Sequence, residues 1–230
     1  MRKPVPYARI MIIDLSHEIV AGMVTYPGIA GPHLRVVTSR PASAARLDSG
    51  VSFEIESLTL AGNTGTYLDS PFHFHAGRAD LARLPLERLV NVPIAVVRAV
   101  GLTAVTAADL GDPGRLWGRA VLVHTGWARH WGTSRYLDLD CPHLTADAVA
   151  TLVAANPALV GIDSLNIDDP ADPARPAHQQ LLGADIPIVE HLANLESLPE
   201  DGARLIALPP PVRAMASFPI RAVAVTGERA

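Results

Sequence analysis

The sequence predicts one mixed α/β domain, with a sheet of many strands and a few helices, and three observations support this fold class. Short runs rich in Val and Ile recur along the chain, and most are continuous rather than alternating, which is typical of strands buried on both faces. Two segments have the apolar spacing of an amphipathic helix. The 20 prolines and 17 glycines predict long, shaped loops between these elements.

Seven runs are predicted to be strands. The run 51–55 is the clearest strand with one wet face, because Val51, Phe53 and Ile55 alternate with Ser52 and Glu54. The other strands are expected at residues 10–15, 34–38, 93–100, 120–125, 158–162 and 204–208.

The better of the two helices is predicted over residues 145–156. Thr145 can cap the first turn, Asp147 favours the positive end, and Asn156 with Pro157 ends the helix. A second helix is expected to start at Pro176, since proline suits the first turn, and to carry His178.

Composition excludes several classes of protein. With 230 residues, 49% of them apolar and 18% charged, the chain can bury a large core, and no stretch has the composition of a linker, so we expect a single domain over residues 1–230. The net charge of -4 and the scattered basic residues argue against a nucleic-acid partner. A single cysteine, Cys141, excludes an intrachain disulfide and a cysteine-based zinc site.

A membrane partner and export are also not expected. The longest apolar runs fall far short of the roughly 20 residues that span a bilayer, and Asp14 interrupts the first apolar stretch before it reaches the length of a signal-peptide core. We therefore expect a cytoplasmic protein that acts on a small molecule.

The segment 62–77, GNTGTYLDSPFHFHAG, is dense in possible ligands of a metal ion. Asp69 and His73 are four residues apart, an offset that places two side chains on the same face of either a helix or a strand. His75 shares that face only if the segment is extended, and Pro71 argues against the interior of a helix. Without a metal, Asp69 would cap a turn and the histidines would bond to the loop, and this segment alone does not decide between the two interpretations.

A second cluster lies in residues 160–192 and favours a metal site. Its acidic and imidazole side chains include His178 and Glu190, which could complete a four-ligand site with Asp69 and His73. Asp163 follows an apolar strand, the usual place for ligands in α/β proteins. The alternative is that residues 168–172, which include Asp168 and Asp169, form a solvated acidic loop and that Glu190 caps a strand.

These segments resemble the cyclase family of metal-dependent hydrolases, which includes bacterial kynurenine formamidase and isatin hydrolase. The resemblance runs through IIDLSHEIVAGMVTYPG, GTYLDSPFHF, VGIDSLNIDD and HQQLLGADIPIVEHLANLESLP. It implies a swivelling β/β/α fold with a mixed sheet or barrel and flanking helices, a Zn²⁺ or Mn²⁺ cofactor, and a homodimer or homotetramer.

The sequence departs from the family motif H-x-G-T-H-x-D-x-P-x-H at its two leading histidines, which are replaced by Asn63 and Tyr67. The resemblance therefore implies a single-metal site built from Asp69, His73, His178 and Glu190. Glu190 is our candidate proton acceptor.

The resemblance also suggests roles around that site. Asn63 and Tyr67 would steady an oxyanion or position substrate, His75 would be a further ligand or a proton shuttle, and His17 is a weaker candidate for substrate binding. Trp127 and Trp131 fit a pocket, an oligomer contact or core packing equally well.

Three functions stay open from the sequence. The preferred one is a metal-dependent hydrolase of a small amide, lactam or ester. The loss of two motif histidines motivates the second, a metal-independent cyclase, dehydratase or lyase with Tyr67 and His73 as acid and base. The third is a non-catalytic protein that binds a small molecule in the same pocket.

Overall fold

The computed structural model of the protein describes residues 10–227. Its strands are β1 (Ile10–Asp14), β2 (His33–Thr38), β3 (Ile55–Thr59), β4 (Tyr67–Asp69), β5 (Val90–Arg98), β6 (Ala104–Val105), β7 (Ala120–His124), β8 (His143–Leu144), β9 (Leu159–Ile162), β10 (Ile188–Glu190), β11 (Arg204–Ile206), β12 (Ser217–Pro219) and β13 (Val223–Gly227). The helices are α1 (Arg40–Ala44), α2 (Ala146–Ala155) and α3 (Pro176–Gly183). Short 3₁₀ helices lie at Pro71–His73, Leu81–Arg83, Leu86–Arg88, Ala107–Leu110, Pro113–Arg115, Trp127–His130, Ser134–Leu137 and Leu195–Ser197.

Nine strands form one curled sheet in the order β1-β13-β11-β5-β7-β9-β10-β4-β12. The four central strands of the sheet, β5, β7, β9 and β10, are parallel, with Val121 opposite Val160 and Val189 opposite Gly161. Antiparallel strands flank this centre on both sides. The predicted α/β class with a mixed sheet and flanking helices is confirmed.

Both faces of the parallel centre are buried, which explains its continuous apolar runs. On one face, Val121 and Val123 of β7 pack with Val149 and Leu152 of α2 and with α3. On the other face, Leu122 packs with Leu68, Leu159 and Val189, under a layer of loops. Both predicted helices are present, and Thr145 stands at the N-cap of α2, although its hydroxyl donates to the Val105 carbonyl instead of capping the helix.

Two of the predicted strands are not buried. β1 lies at an edge of the sheet with Ile10, Met11 and Ile12 exposed. β2 pairs only with β3, as an antiparallel ribbon outside the sheet, and Leu34, Val36 and Leu58 of this ribbon are more than half exposed.

The predicted strand at 51–55 is wrong, since the strand begins only at Ile55. The preceding residues are held by the small helix α1 instead of a neighbouring strand. The backbone N–H of Phe53 donates to Ser43 Oγ at 2.9 Å, and that hydroxyl donates to the Phe53 carbonyl at 2.7 Å. The alternation that suggested a strand therefore falls mostly on a loop with its apolar side chains exposed.

Across residues 10–227, no helix combines the length and the apolar character that crossing a membrane requires.

Candidate active site

Asp69 lies at the centre of the candidate site. It ends β4, between β10 and β12, and is fully buried. Its Oδ1 accepts hydrogen bonds from the Ser217 hydroxyl and, at 3.4 Å, from Asn63 Nδ2. Its Oδ2 is buried without a hydrogen-bond partner. A buried carboxylate oxygen with no partner marks a place where another group can bind.

Two imidazoles face Asp69. His73 ends the 3₁₀ helix that starts at Pro71, and its Nε2 lies 3.9 Å from Asp69 Oδ1. His178, on α3, places its Nε2 3.8 Å from Asp69 Oδ2. One ligand atom from each of the three residues lies within 4.8 Å of the others, and His73 is the most exposed of them. We call Asp69, His73 and His178 the ligand group.

Asp168 fixes the orientation of His178. The Nδ1 atom of His178 lies 2.6 Å from Asp168 Oδ2, and the same carboxylate accepts the N–H groups of Ala177 and His178 at the start of α3. A carboxylate on one ring nitrogen sets the tautomer and leaves the other nitrogen free, the usual arrangement around a metal-binding histidine. Asp168, for which a solvated acidic loop was the alternative interpretation, is buried and supports the ligand group.

Glu190 lies beside the ligand group at the end of β10. Its Oε1 is 3.9 Å from His178 Nε2 and accepts the Ile167 N–H at 2.7 Å, while Oε2 accepts the hydroxyl of Tyr67. Glu190 thus contacts the group through His178, and both of its oxygens already have donors within the protein.

The carboxylates around His178 create a strongly negative environment. Burial alone would lower the pKa of His178, but its hydrogen bond to Asp168 and the nearby carboxylates of Asp69 and Glu190 raise it to about 10. Burial and the charge of Asp69 raise the pKa of Glu190 to about 7, against the opposing effect of His178. The site therefore favours a cation between these groups.

Next to Tyr67 lies a set of rings, His17, Trp131, Tyr136 and His191, which we call the aromatic group. The ring of His17 stacks on Trp131 with centroids 3.9 Å apart, and Trp131 meets Tyr136 edge to face at 4.8 Å. His191 is fully buried, and its Nδ1 lies 2.7 Å from the Tyr136 hydroxyl. The ring of Tyr67 lies 5.2 Å from the ring of His191, and its hydroxyl donates to Glu190 Oε2. Tyr67 therefore links this group to Glu190.

The two imidazoles of the aromatic group are held neutral. Burial lowers the pKa of His17 to about 4. Burial and the nearby charge of His17 lower the pKa of His191 to about 3, against the opposing charge of Asp69. The Nε2 atoms of both rings are buried and have no hydrogen-bond partner.

Trp131 and Tyr136 also line a cavity of about 560 Å³. Its other walls are mostly apolar and include Val20, Val24 and Leu137. A cavity of this size and character is typical of sites that bind small organic molecules.

The structure brings most of the predicted site residues together around Asp69, with His75 as the exception. Because the chain turns through a 3₁₀ helix rather than running extended, His75 packs on α3, with its Nε2 2.9 Å from the Gln179 carbonyl. Asp163, at the end of β9, caps a turn by accepting N–H groups from Thr125 and Gly126.

Sequence analysis missed three residues of the site, His191, Tyr136 and Ser217. His191 directly follows Glu190, so strand alternation would place it on the opposite face, but its positive φ of 56° turns the chain there. A histidine beside a candidate ligand at the end of an apolar run was the available signal. Tyr136 and Ser217 are brought in by tertiary structure alone.

A sequence profile of the family "Cyclase", described as "Putative cyclase", matches residues 13–169. The chain belongs to the cyclase family. It is 28% identical over 211 residues to "Kynurenine formamidase" of Bacillus mycoides, covering 92% of this chain and 95% of that protein. It is also 29% identical over 181 residues to the protein of the same name from Polaromonas naphthalenivorans, covering 77% of each. The family and the enzyme class expected from the sequence are confirmed.

Several solved structures share the fold. "Isatin hydrolase A" from Labrenzia aggregata, bound to benzyl benzoate, superposes with a TM-score of 0.81 at 22% identity and covers 95% of this chain and 94% of that one. A second structure, "Potential Metal-Dependent Hydrolase With Cyclase Activity", has a TM-score of 0.79 at 23% identity and covers 96% of this chain and all of that one.

The residues of this chain suit a divalent metal. Two imidazole nitrogens and a carboxylate oxygen that lacks a partner form a common donor set for Zn²⁺ and Mn²⁺. Asp168 holds His178 with its free nitrogen toward the other two donors. Glu190 Oε1 lies 3.9 Å from His178 Nε2, outside the three residues whose ligand atoms converge.

Proposed function

We propose that the chain is a metal-dependent hydrolase of a small amide, lactam or ester, with one Zn²⁺ or Mn²⁺ ion held by Asp69, His73, His178 and Glu190. The observation that carries this proposal is the convergence of the ligand group on a buried carboxylate oxygen that has no partner. When bound there, a divalent ion polarises a carbonyl group and lowers the pKa of a water molecule.

The substitution of the two motif histidines supports a single ion. Asn63 donates to Asp69, and Tyr67 donates to Glu190, so both side chains are engaged within the protein. An amide nitrogen and a protonated phenol are poor metal ligands compared with imidazole. In this position they hold the two carboxylates in place.

Glu190 is the proposed proton acceptor. It is fully buried, borders His178, and has a pKa of about 7, close to the pH at which it must exchange a proton. Each carboxylate oxygen has two lone pairs, and the Ile167 N–H uses one of those on Oε1, so the other lone pair serves the ion or the proton in turn, not both at once. Tyr67 keeps the other oxygen in place.

We propose an aromatic amide or lactam as the substrate. The curated relatives are named kynurenine formamidase and the structural neighbours isatin hydrolase, names that denote hydrolysis of amide bonds on aromatic compounds. The cavity beside Trp131 and Tyr136 has the volume and the apolar walls for a ring of that kind.

The first experiment is elemental analysis of untagged protein, purified without chelator, together with hydrolysis of formanilide, an aryl formamide. We expect about one Zn or Mn per chain and turnover, with both lost in His73→Ala and His178→Ala. His143→Ala is the matched control, because within residues 10–227 the side chain of His143 hydrogen-bonds only to the Cys141 carbonyl. Loss of metal without loss of turnover would contradict the proposal and favour the metal-independent lyase. A protein that binds metal and ligands but turns over no amide, lactam or ester would favour the binding protein.

The same assay tests the role proposed for His75. If His75 is a ligand or a proton shuttle, His75→Ala will lower metal content or turnover. Normal metal content and turnover in that variant would leave His75 with only its contact to the Gln179 carbonyl.

We further propose that a second copy of the chain covers the β2–β3 ribbon. A two-stranded ribbon is marginally stable by itself, and here Leu34, Val36 and Leu58 face solvent. Sedimentation velocity should show a homodimer or homotetramer, and Leu34→Asp with Leu58→Asp should shift it toward the monomer. A monomeric wild-type protein would contradict this. The cytoplasmic location stays a prediction.

A further inference from the structure

Another cavity lies beyond the carboxyl ends of the parallel strands. Its volume is about 420 Å³, and its wall includes His124, the last residue of β7, and Asp163, which follows β9. In open α/β sheets, ligands usually bind beyond this edge. His17 of the aromatic group also lines the cavity, whereas no member of the ligand group does. The cavity is therefore separate from the proposed metal site.

Arg98 determines which nitrogen of His124 carries the proton. Its Nη1 atom lies 3.0 Å from His124 Nδ1, and the carbonyls of Leu195 and Leu198 hold the same guanidinium at 2.7 and 2.6 Å. A guanidinium group only donates hydrogen bonds, so Nδ1 of His124 accepts. Burial lowers the pKa of His124 and keeps its ring neutral. The single N–H of that ring therefore lies on Nε2.

The Nε2–H group of His124 is available to a ligand. Only 8% of the surface of His124 is exposed, and the residue lines the cavity. Among residues 10–227, its Nε2 makes no hydrogen bond, yet this atom is not one of the fully buried atoms that lack a partner. The atom therefore keeps accessible surface. In surroundings from which most water is excluded, such a donor binds an acceptor more strongly than it would in water.

Arg129 adds a positive charge to the wall of the cavity. A Cβ atom on Gly126 would lie 3.0 Å from Arg129 Nη1, so the guanidinium lies directly beside this glycine, which also lines the cavity. Among the described residues, the side chain of Arg129 makes one hydrogen bond, from Nε to His130 Nε2 at 3.2 Å. Its two Nη atoms are left for a ligand.

Glu196 adds a negative charge to the same wall. Its charge acts on the His124 ring, and its side chain has no hydrogen bond or ion pair with a described residue. Asp163 differs, because N–H groups of Thr125 and Gly126 already donate to its two oxygens. An unpaired carboxylate and an unpaired guanidinium in one cavity attract ligand groups of opposite sign.

We propose that this cavity binds a small α-amino acid as its zwitterion, with the carboxylate on His124 Nε2–H and Arg129 and the ammonium on Glu196. Other chemical classes fit less well. A metal ion needs an imidazole nitrogen without a proton, whereas Nε2 carries one. A simple anion would meet the carboxylates of Glu196 and Asp163, and a simple cation would meet Arg129 and an N–H donor. The site goes beyond the proposed function, because it lies outside the ligand group.

Long-range ¹H–¹⁵N correlation spectra of the imidazoles test the donor and its ligand. In ¹⁵N-labelled protein with Zn²⁺, which is diamagnetic, we expect the proton of His124 on Nε2 and a shift of that resonance when L-alanine is added. The His124 signals are identified by their loss in His124→Gln. A proton on Nδ1 would overturn the proposal, and so would alanine that shifts the signals of His178 but not those of His124.

Two fragments of alanine, each lacking one of its charges, test the recognition of a zwitterion. Propionate should bind about threefold to fivefold more weakly than alanine, because it lacks only the contact with the exposed Glu196. Ethylamine should bind about tenfold more weakly, because it lacks the carboxylate that His124 and Arg129 would hold. Either fragment binding as tightly as alanine would contradict the proposal.

Variants of the two exposed charged residues provide the last test. Glu196→Gln should reduce the affinity for alanine to that for propionate, whereas Arg129→Gln should weaken the binding of both compounds. Glu200→Gln is the matched control, because Glu200 lies on the same segment but does not line this cavity. Equal affinity for alanine in the wild type and in Glu196→Gln would refute the proposed contact. All these readouts are independent of turnover, so the site and the proposed function can fail separately.

Discussion

The ligand group and the aromatic group each contain two histidines, and the surroundings of His178 in the first and of His17 in the second shift their pKa values in opposite directions. In the ligand group, Asp168 and Asp69 raise the pKa of His178 to about 10. In the aromatic group, burial lowers the pKa of His17 to about 4. The carboxylates around His178 favour the binding of a cation. The rings around His17 instead favour a neutral imidazole, which can only make hydrogen bonds between uncharged groups.

The largest effect is expected from Asp168→Asn, which tests the carboxylate support of the ligand group. The amide side chain keeps an acceptor for the N–H groups at the start of α3 but loses the charge that faces His178 Nδ1. We expect metal affinity to fall about 10- to 100-fold, measured by competition with a chelator of known affinity.

Asp169→Asn is the matched control, because among the described residues the side chain of the neighbouring Asp169 hydrogen-bonds only to the N–H of Ala171. Equal metal affinity in the wild type and Asp168→Asn would mean that the ligand group does not depend on the charge of Asp168, and the contrast with the aromatic group would lose its basis.

Much of the ligand group could be predicted from the sequence, because its chemistry is local. Asp69 and His73 lie four residues apart in one segment, and His178 follows a proline that starts a helix. The parallel strands could be predicted because burial on both faces leaves continuous apolar runs.

The aromatic group could not be predicted in the same way. Tyr136 lies in a short 3₁₀ helix, and its approach to His191 depends on the packing of segments that are 55 residues apart. No local sequence pattern predicts that packing, and none predicts that an Nε2 atom will lack a hydrogen-bond partner. The exposure of the β2–β3 ribbon was not predicted for a related reason. The sequence of β2 predicts a strand but does not show whether a neighbouring element covers it.

An intermediate effect is expected from Tyr67→Phe, since Tyr67 links the two groups. Removal of its hydroxyl leaves Glu190 Oε2 buried without its donor. We expect kcat for formanilide to fall about tenfold, with the metal content unchanged because Tyr67 is not a proposed ligand.

Tyr136→Phe is the matched comparison, because its hydroxyl bonds to His191 rather than to Glu190. Its effect on kcat should be smaller than that of Tyr67→Phe. If both variants lowered kcat alike, the two groups would act as one unit.

The smallest effect is expected in stability against acid, and it tests the neutral state of the aromatic group. His17 has a pKa of about 4 in the folded protein and about 6.5 in the unfolded chain. Because unfolding allows His17 to take up a proton, its contribution to the free energy of unfolding is complete above pH 6.5 and is lost as the pH falls through 4. The contribution therefore declines within the range from pH 7.5 to 5.

His17→Phe keeps a ring on Trp131 and removes this titration. Between pH 7.5 and 5, the wild type should lose about 1 kcal/mol more free energy of unfolding than the variant, a value reduced because His17 is partly exposed. Urea unfolding at the two pH values measures the difference, and the other titrating groups cancel because both proteins carry them. Equal losses would show that His17 is not held neutral. A smaller loss in the wild type would mean that His17 has a charged partner in the folded protein, as His178 does. The contrast between the two groups would then rest on His191 alone.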